Sequence, residues 1–210
     1  MPILEHVARR LIAAGADRLV INLHHLGDRI RAFVEEQQGF GVEVAFSEEP
    51  EGALETGGGV LRAARHFRGD APFFLHNSDI LTDFPLGEMY LAHERATPLA
   101  TVAVMSRVSS RYLLFDAEGL FGRVDERKGQ RIEARASVGA EVRLGFAGVH
   151  VIAPNFPRLL TERGAFSILD PYLRLVGEGA TILPFRIDGS RWIDIGKPEQ
   201  LEEARRFFVL

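Results

Sequence analysis

Two acidic motifs stand far apart in the chain, Asn77-Ser78-Asp79 and Trp192-Ile193-Asp194-Ile195-Gly196. The apolar run Pro72-Phe73-Phe74-Leu75-His76 leads into the first, and Trp192-Ile193 leads into the aspartate of the second. An aspartate at the carboxyl end of a buried strand points into the crevice where open α/β sheets bind ligands. Two such aspartates suit one Mg²⁺, a hard cation that takes few carboxylates and keeps positions for substrate phosphates. Asp79 and Asp194 are therefore expected to be the catalytic, metal-holding pair. Between them in chemistry, though before both in sequence, Glu55-Thr56-Gly57-Gly58-Gly59 opens a helical stretch. Glycines there let backbone N–H groups approach a phosphate or base closely, and a helix N-terminus favours negative charge. Each glycine weakens a helix by up to ~1 kcal/mol, so three in a row suggest a purpose. These residues point to an enzyme that handles a nucleoside triphosphate.

Each motif also has a plainer use. Asn, Ser and Asp are favoured turn residues, so Asp79 could simply close the turn after a strand, and Asp194 could close one before the last helix. Thr56 could be only an N-cap, and Gly57 to Gly59 only a close helix–strand contact. His24 and His25 are adjacent, so on an extended segment they point opposite ways and cannot chelate one ion. They and His150 read as structural. Ser78 and Ser167 lack a Ser-x-Gly elbow, and the glycine run is neither a Walker loop nor a Gly-x-Gly-x-x-Gly fingerprint.

The elements that must position these residues read as an α/β domain. Ile3, Leu4, Val7, Leu11 and Ile12 recur at helical spacing before Gly15. A strand over 18–23, a helix over 28–38, a strand over 41–46, a helix over 56–67, a strand over 73–76 and a helix over 86–95 follow. That alternation over residues 1–104 implies a mostly parallel, doubly wound sheet. Short strand-like runs then occupy 112–115, 122–125, 131–136 and 144–152, an antiparallel β-rich excursion of about 110–145 on one edge. Helices are expected at 154–161, 168–176 and 198–208, around a strand over 180–186. All of this fits a single domain over 1–210.

Composition narrows the function classes. The 210 residues are 46% hydrophobic and 26% charged, ordinary for a globular protein, with a formal net charge of −4. An acidic balance without a basic tract argues against nucleic-acid binding. Cysteine is absent, which excludes a disulfide framework, a thiolate zinc site and a cysteine nucleophile. No apolar stretch is long enough to span a bilayer, so no membrane association is expected and the cytoplasm is the default compartment.

The runs Ile21-Asn-Leu-His-His-Leu-Gly-Asp28, Leu54-Glu-Thr-Gly-Gly-Gly-Val60, Asn77-Ser-Asp-Ile-Leu-Thr-Asp83, Phe146-Ala-Gly-Val-His150, Ala165-Phe-Ser167 and Trp192-Ile-Asp-Ile-Gly196 together resemble one family, in order through nearly the whole chain. It is the sugar-1-phosphate nucleotidyltransferases. The resemblance implies a Rossmann-like nucleotidyltransferase fold. It also implies a reaction in which a nucleoside triphosphate, UTP or GTP, joins a sugar 1-phosphate with Mg²⁺ to give a nucleoside-diphosphate sugar and pyrophosphate. Carried over, Asp79 and Asp194 resemble the metal-holding aspartates, and Glu55, Thr56, Gly57, Gly58 and Asn77 the nucleotide-binding positions. Phe146, Gly148 and Ser167 match positions near the sugar pocket.

Two departures stand out. Ser78 occupies a place where the family usually has glycine. The family also begins with a strand, a Leu-Ala-Ala-Gly-x-Gly-x-Arg loop that wraps the triphosphate and a Pro-Lys-Pro segment, whereas Met1 to His6 match only the helix after these. Relative to the family the chain is therefore expected to be N-terminally incomplete, with a mis-called start as the simplest cause and an unpaired channel in the sheet. Loss of charge-stabilising donors commonly costs ~10²–10³ in rate, so residues 1–210 alone are expected to release no pyrophosphate. The alternative from another class is a non-catalytic nucleotide-sugar-binding or regulatory subunit.

Overall fold

The computed structural model describes residues 1–50, 52–196 and 198–208. Helix α1 (Ile3–Ala13) packs Leu4, Ala8, Leu11 and Ile12 toward a core shared with strand β1 (Arg18–Leu23), helix α2 (Gly27–Glu36) and strand β2 (Glu43–Glu48). β1 and β2 pair in parallel from Arg18↔Glu43 to Leu23↔Glu48. Between α2 and β2 the chain turns through Gly39 and Phe40, both with left-handed backbone. Helix α3 (Glu55–Ala63) follows β2 and carries the glycine run.

The main sheet has seven strands. It holds β3 (Phe73–His76), β5 (Ala100–Met105), β6 (Arg111–Asp116), β7 (Gly119–Asp125), β8 (Gln130–Glu133), β9 (Val142–Ile152) and β10 (Ile182–Arg186). β10 runs parallel to β5, and β3 and β5 flank β9 antiparallel to it. Strands β3, β5 and β10 thus share one direction, as the strand–helix alternation predicts, and β9 runs against them. The first residues of β9 also pair with β6, so this 11-residue strand belongs both to the main sheet and to the antiparallel β6–β7–β8 lobe. Among the described residues β1 pairs only with β2, and β3 only with β9.

A third ladder is small. β4 (Ile80–Thr82) and β11 (Trp192–Asp194) are three-residue strands paired antiparallel. Neither strand is marked by periodicity in the sequence, since three residues are too few to show one. The helix expected over 154–161 is only a 3₁₀ turn, Phe156–Leu159. Pro157 lacks the N–H that would continue a ladder, and Pro154 restrains the residue before it. Helix α4 (Leu86–Ala96), helix α5 (Leu169–Gly177) and helix α6 (Pro198–Phe207) complete the chain. The largest core lies between β5, β9 and α5, around the fully buried Val102, Ile152, Phe156, Tyr172 and Ile182.

Candidate functional site

Two strand ends meet at the β4–β11 ladder. Asp194 pairs in register with Ile80, the residue after Asp79, and the Ile195 N–H donates to the Asp79 carbonyl at 2.9 Å. The Asn77-Ser78-Asp79 segment turns the chain from β3 into β4, anchored where the Asn77 N–H donates to the Gly148 carbonyl at 2.9 Å. The two aspartates therefore share one rim although they are remote in sequence. Asp79 has its carboxyl held above the usual range, first by burial and then by the neighbouring Asp194 charge. Asp194 accepts a hydrogen bond from the Gly196 N–H at 2.9 Å. Among the described residues neither carboxylate has a cationic partner within ion-pair distance.

This donor set fits a divalent ion. Two neighbouring carboxylates outside any ion pair are hard oxygen donors, and their mutual repulsion is relieved by a cation between them. No group of three or more His, Cys, Asp and Glu side chains able to hold a metal occurs among the described residues. A pair leaves coordination positions open for substrate phosphates, whereas a full protein cage would not.

The Asn77 turn and Trp192 rest against β9. Gly148 has φ +78, and a Cβ there would lie 2.7 Å from Ile80 Cγ1 and 3.3 Å from Asn77 Nδ2. Only glycine permits both that backbone and the close passage of the Asn77 turn. Trp192 is fixed through its indole N–H, which donates to the Ala147 carbonyl at 2.9 Å. Phe146 is half-buried with its ring centroid 4.8 Å from that of His150. His150 is fully buried, 3.1 Å from the Tyr172 hydroxyl, and burial pushes its pKa down to about 3. His76 is likewise driven to about 4, first by burial. Both rings are neutral at physiological pH and act as packing, in line with the structural role expected for His150.

A third charged group joins this rim, one that sequence reasoning does not single out. Arg107 follows β5, donates from Nη2 to the Phe146 carbonyl at 3.1 Å, and stacks its guanidinium 4.6 Å over the Trp192 ring. The available signal was its position just beyond the carboxyl end of the apolar strand Ala100–Met105, where open α/β sheets place ligand-binding groups.

The remaining predicted residues form a second patch. Gly57 and Gly58 do begin a helix, but their N–H groups are not free: both donate to the Phe166 carbonyl, at 3.0 and 3.4 Å. A Cβ on Gly57 would lie 2.5 Å from the Phe166 ring, and one on Gly58 2.4 Å from the Gly164 carbonyl oxygen. A Cβ on Gly59 would reach 2.4 Å from Asn22 Nδ2. The expectation of free N–H groups facing the crevice is corrected accordingly: the run makes room for the segment before α5 and for Asn22. Thr56 is not the N-cap, because the helix starts one residue earlier at Glu55. Glu55 is exposed and has φ +56, a left-handed conformation that costs a non-glycine residue ~1 kcal/mol or more. Ser167 lies beside Phe166, with its Oγ accepting from the Leu169 N–H at 3.3 Å at the start of α5. Structure thus gathers Asn77, Asp79, Phe146, Gly148 and Asp194 at one rim, and Glu55, Thr56, Gly57, Gly58 and Ser167 around Phe166. The two patches share the core cluster containing Val60, Phe146 and Phe166.

Comparison with known proteins identifies the family. The nucleotidyl transferase family model matches residues 1–116. An N-acetylmuramate alpha-1-phosphate uridylyltransferase from Neisseria meningitidis serogroup B is 30% identical over 205 residues, which is 93% of this chain and 80% of that protein. The zebrafish (Danio rerio) mannose-1-phosphate guanylyltransferase catalytic subunit beta is 27% identical over 202 residues. That match covers 94% of this chain but 53% of the zebrafish protein, so the chain spans about half of that relative's length. Among solved structures, a putative glucose-1-phosphate thymidylyltransferase from Bacillus anthracis superposes with a TM-score of 0.77 at 13% identity, covering 98% of this chain and 82% of its own. A UTP-bound UGPase from Acinetobacter baumannii gives 0.73 at 16%, covering 98% and 81%. At such identities these two likenesses speak for the fold alone.

Proposed function

The chain belongs to the nucleotidyl transferase family, among the sugar-1-phosphate nucleotidyltransferases, and on that premise we propose that it joins a nucleoside triphosphate to a sugar 1-phosphate. The observation that supports this most is the convergence of Asp79 and Asp194 on one rim without a cationic partner among the described residues. In the proposed reaction a phosphate oxygen of the sugar 1-phosphate attacks the α-phosphorus of the triphosphate. The new P–O bond forms as the bond to the β-phosphate oxygen breaks, and pyrophosphate leaves with that electron pair. No protein nucleophile is required; the protein positions the reactants.

Asp79 and Asp194 would hold Mg²⁺, which when bound offsets the phosphate charge. Asn77, at the turn beneath them, and the exposed Glu55 and half-buried Thr56 at the head of α3 are the proposed nucleotide contacts. Gly57 and Gly58 contribute by letting that helix start approach Phe166. Phe146, Gly148 and Ser167 are assigned to the sugar side. UTP and GTP are the expected triphosphates, since the Neisseria relative is a uridylyltransferase and the zebrafish one a guanylyltransferase. No helix among the described residues is long and apolar enough to cross a membrane, and a cytoplasmic setting is part of the proposal.

Calorimetric titration with UTP, GTP, CTP and dTTP, each in Mg²⁺ and in EDTA, tests the reading. At least one triphosphate is expected to give a saturable isotherm that EDTA abolishes. If none of the four binds in a metal-dependent way, the reading is wrong.

A further inference from the structure

Arg107 lies in a cradle formed by β9 and the Trp192 indole. Its guanidinium lies 4.6 Å over the Trp192 ring, and that ring is itself pinned by its bond to the Ala147 carbonyl. Its stem passes so close to β9 that a Cβ on Gly145 would come within 2.8 Å of Arg107 Cγ and Nε. Glycine at 145 therefore lets the arginine lie flat between strand and indole. Nη2 is fixed on the Phe146 carbonyl, Nε is buried without a partner, and Nη1 has no protein acceptor among the described residues. No carboxylate among the described residues lies within ion-pair distance, although Asp194 is near enough to favour the charged form.

A half-buried guanidinium without a counter-ion is costly unless a ligand supplies the anion. Its surroundings identify the class of anion. Arg107 stacks on Trp192, two residues before Asp194 of the proposed metal rim, and bonds the Phe146 carbonyl on the proposed sugar side. The group that bridges those positions in the proposed reaction is the phosphate of the sugar 1-phosphate. A planar guanidinium matches phosphate oxygens, and stacking on an aromatic face fixes its plane at low entropic cost.

We infer that Arg107 binds the phosphate of the sugar 1-phosphate and keeps hold of it when it becomes the sugar-linked phosphate of the product. This assignment rests on the nucleotidyltransfer reading above. It makes Arg107 a substrate-binding residue that aims the attacking oxygen at the metal-held triphosphate.

Trp192, the single tryptophan of the chain, provides the readout, because an anion on Arg107 perturbs the stacked indole. Tryptophan emission of the full chain is followed while inorganic phosphate and, separately, α-mannose 1-phosphate are added. The wild type is expected to show a saturable change with both. Arg107→Gln should weaken the response about 10- to 100-fold, the usual range for losing a charge-assisted hydrogen bond, while Arg107→Lys retains most of it. Both variants should melt like the wild type and bind UTP or GTP within about two-fold of it, because the triphosphate does not use this cradle. Wild-type emission indifferent to both anions, or Arg107→Gln responding as the wild type does, overturns the assignment even where the triphosphates still bind. If no triphosphate binds the wild type at all, the nucleotidyltransfer reading itself has failed, and this assignment falls with it.

Discussion

Asp116 and Asp79 are both aspartates at strand ends, and the protein treats them in opposite ways. In the β6–β8 lobe the Asp116 side chain is fully buried and bidentate to Arg135, at 2.6 and 2.7 Å, and it also accepts from the Val138 and Glu118 N–H groups. Those bonds, the Arg135 one foremost, hold its carboxyl well below the usual carboxylate range. At the rim the exposed Asp79 has no such partner among the described residues, and partial desolvation with Asp194 beside it pushes its pKa up. A carboxylate carried for architecture is neutralised by its own chain. One carried for a ligand leaves that neutralisation undone until the ligand arrives.

The sharpest way to break this comparison is to neutralise each aspartate in turn. Asp79→Asn is expected to cost about 10²–10³ in metal-dependent nucleotide affinity, the scale of removing one preorganised charge-stabilising group. Its melting temperature should be unchanged or slightly higher, because a like-charge contact with Asp194 disappears. A large loss of stability would instead mean that Asp79 serves only the turn after β3.

Gly58→Val probes a region built like the lobe rather than like the rim. The new Cβ meets the Gly164 carbonyl oxygen at 2.4 Å, a backbone atom that cannot swing aside. Overpacking of this kind costs about 1–3 kcal/mol or more, so thermal unfolding should move down by several degrees. A variant as stable as the wild type but unable to bind nucleotide would return the glycine run to the ligand.

Arg135→Gln should cost about 2–3 kcal/mol by leaving the buried Asp116 carboxylate with only backbone partners, with nucleotide affinity unchanged. Denaturant midpoints measure it. A loss of binding at constant stability would place the lobe in the site.

The last effect is in pH. His76, at about 4, and His150, at about 3, take up protons more readily when unfolded, where histidine titrates near 6.5. A lowered histidine pKa favours the fold above pH 6.5, and that contribution is lost as pH falls from 6.5 toward 4. The slope should be on the order of 1 kcal/mol per pH unit for each ring. Chemical denaturation at pH 7, 6 and 5 reads it, and a flat profile would mean that both rings protonate within the fold.

What could be read beforehand follows from range. Apolar runs ending in an acid, as in Phe73 to Asp79, mark a strand end locally, so two aspartates at strand ends were legible from types and spacing. The ladder that brings Asp194 beside Ile80 joins two strands of three residues each, too short for any periodicity to reveal. The glycine run announced a close approach, but its partner, Phe166, lies on a segment remote in sequence, so protein and ligand could not be told apart. Arg107 is one of 25 lysines and arginines, and only the indole beneath it and Gly145 beside it distinguish it. The helix read over 154–161 has adequate apolar spacing, yet only the 3₁₀ turn Phe156–Leu159 forms, with Pro157 in its first turn.

The central claim is that Asp79 and Asp194 together hold the metal that a nucleotide shares. Electron paramagnetic resonance of Mn²⁺, titrated with UTP or GTP into the wild type and into the Asp79→Asn, Asp194→Asn double variant, addresses it without requiring turnover. The wild type is expected to deplete free Mn²⁺ beyond the loss that the nucleotide alone causes, and the double variant to add nothing to that loss at equal concentration. Equal capture by the two proteins, both folded, would contradict the claim and move the metal elsewhere.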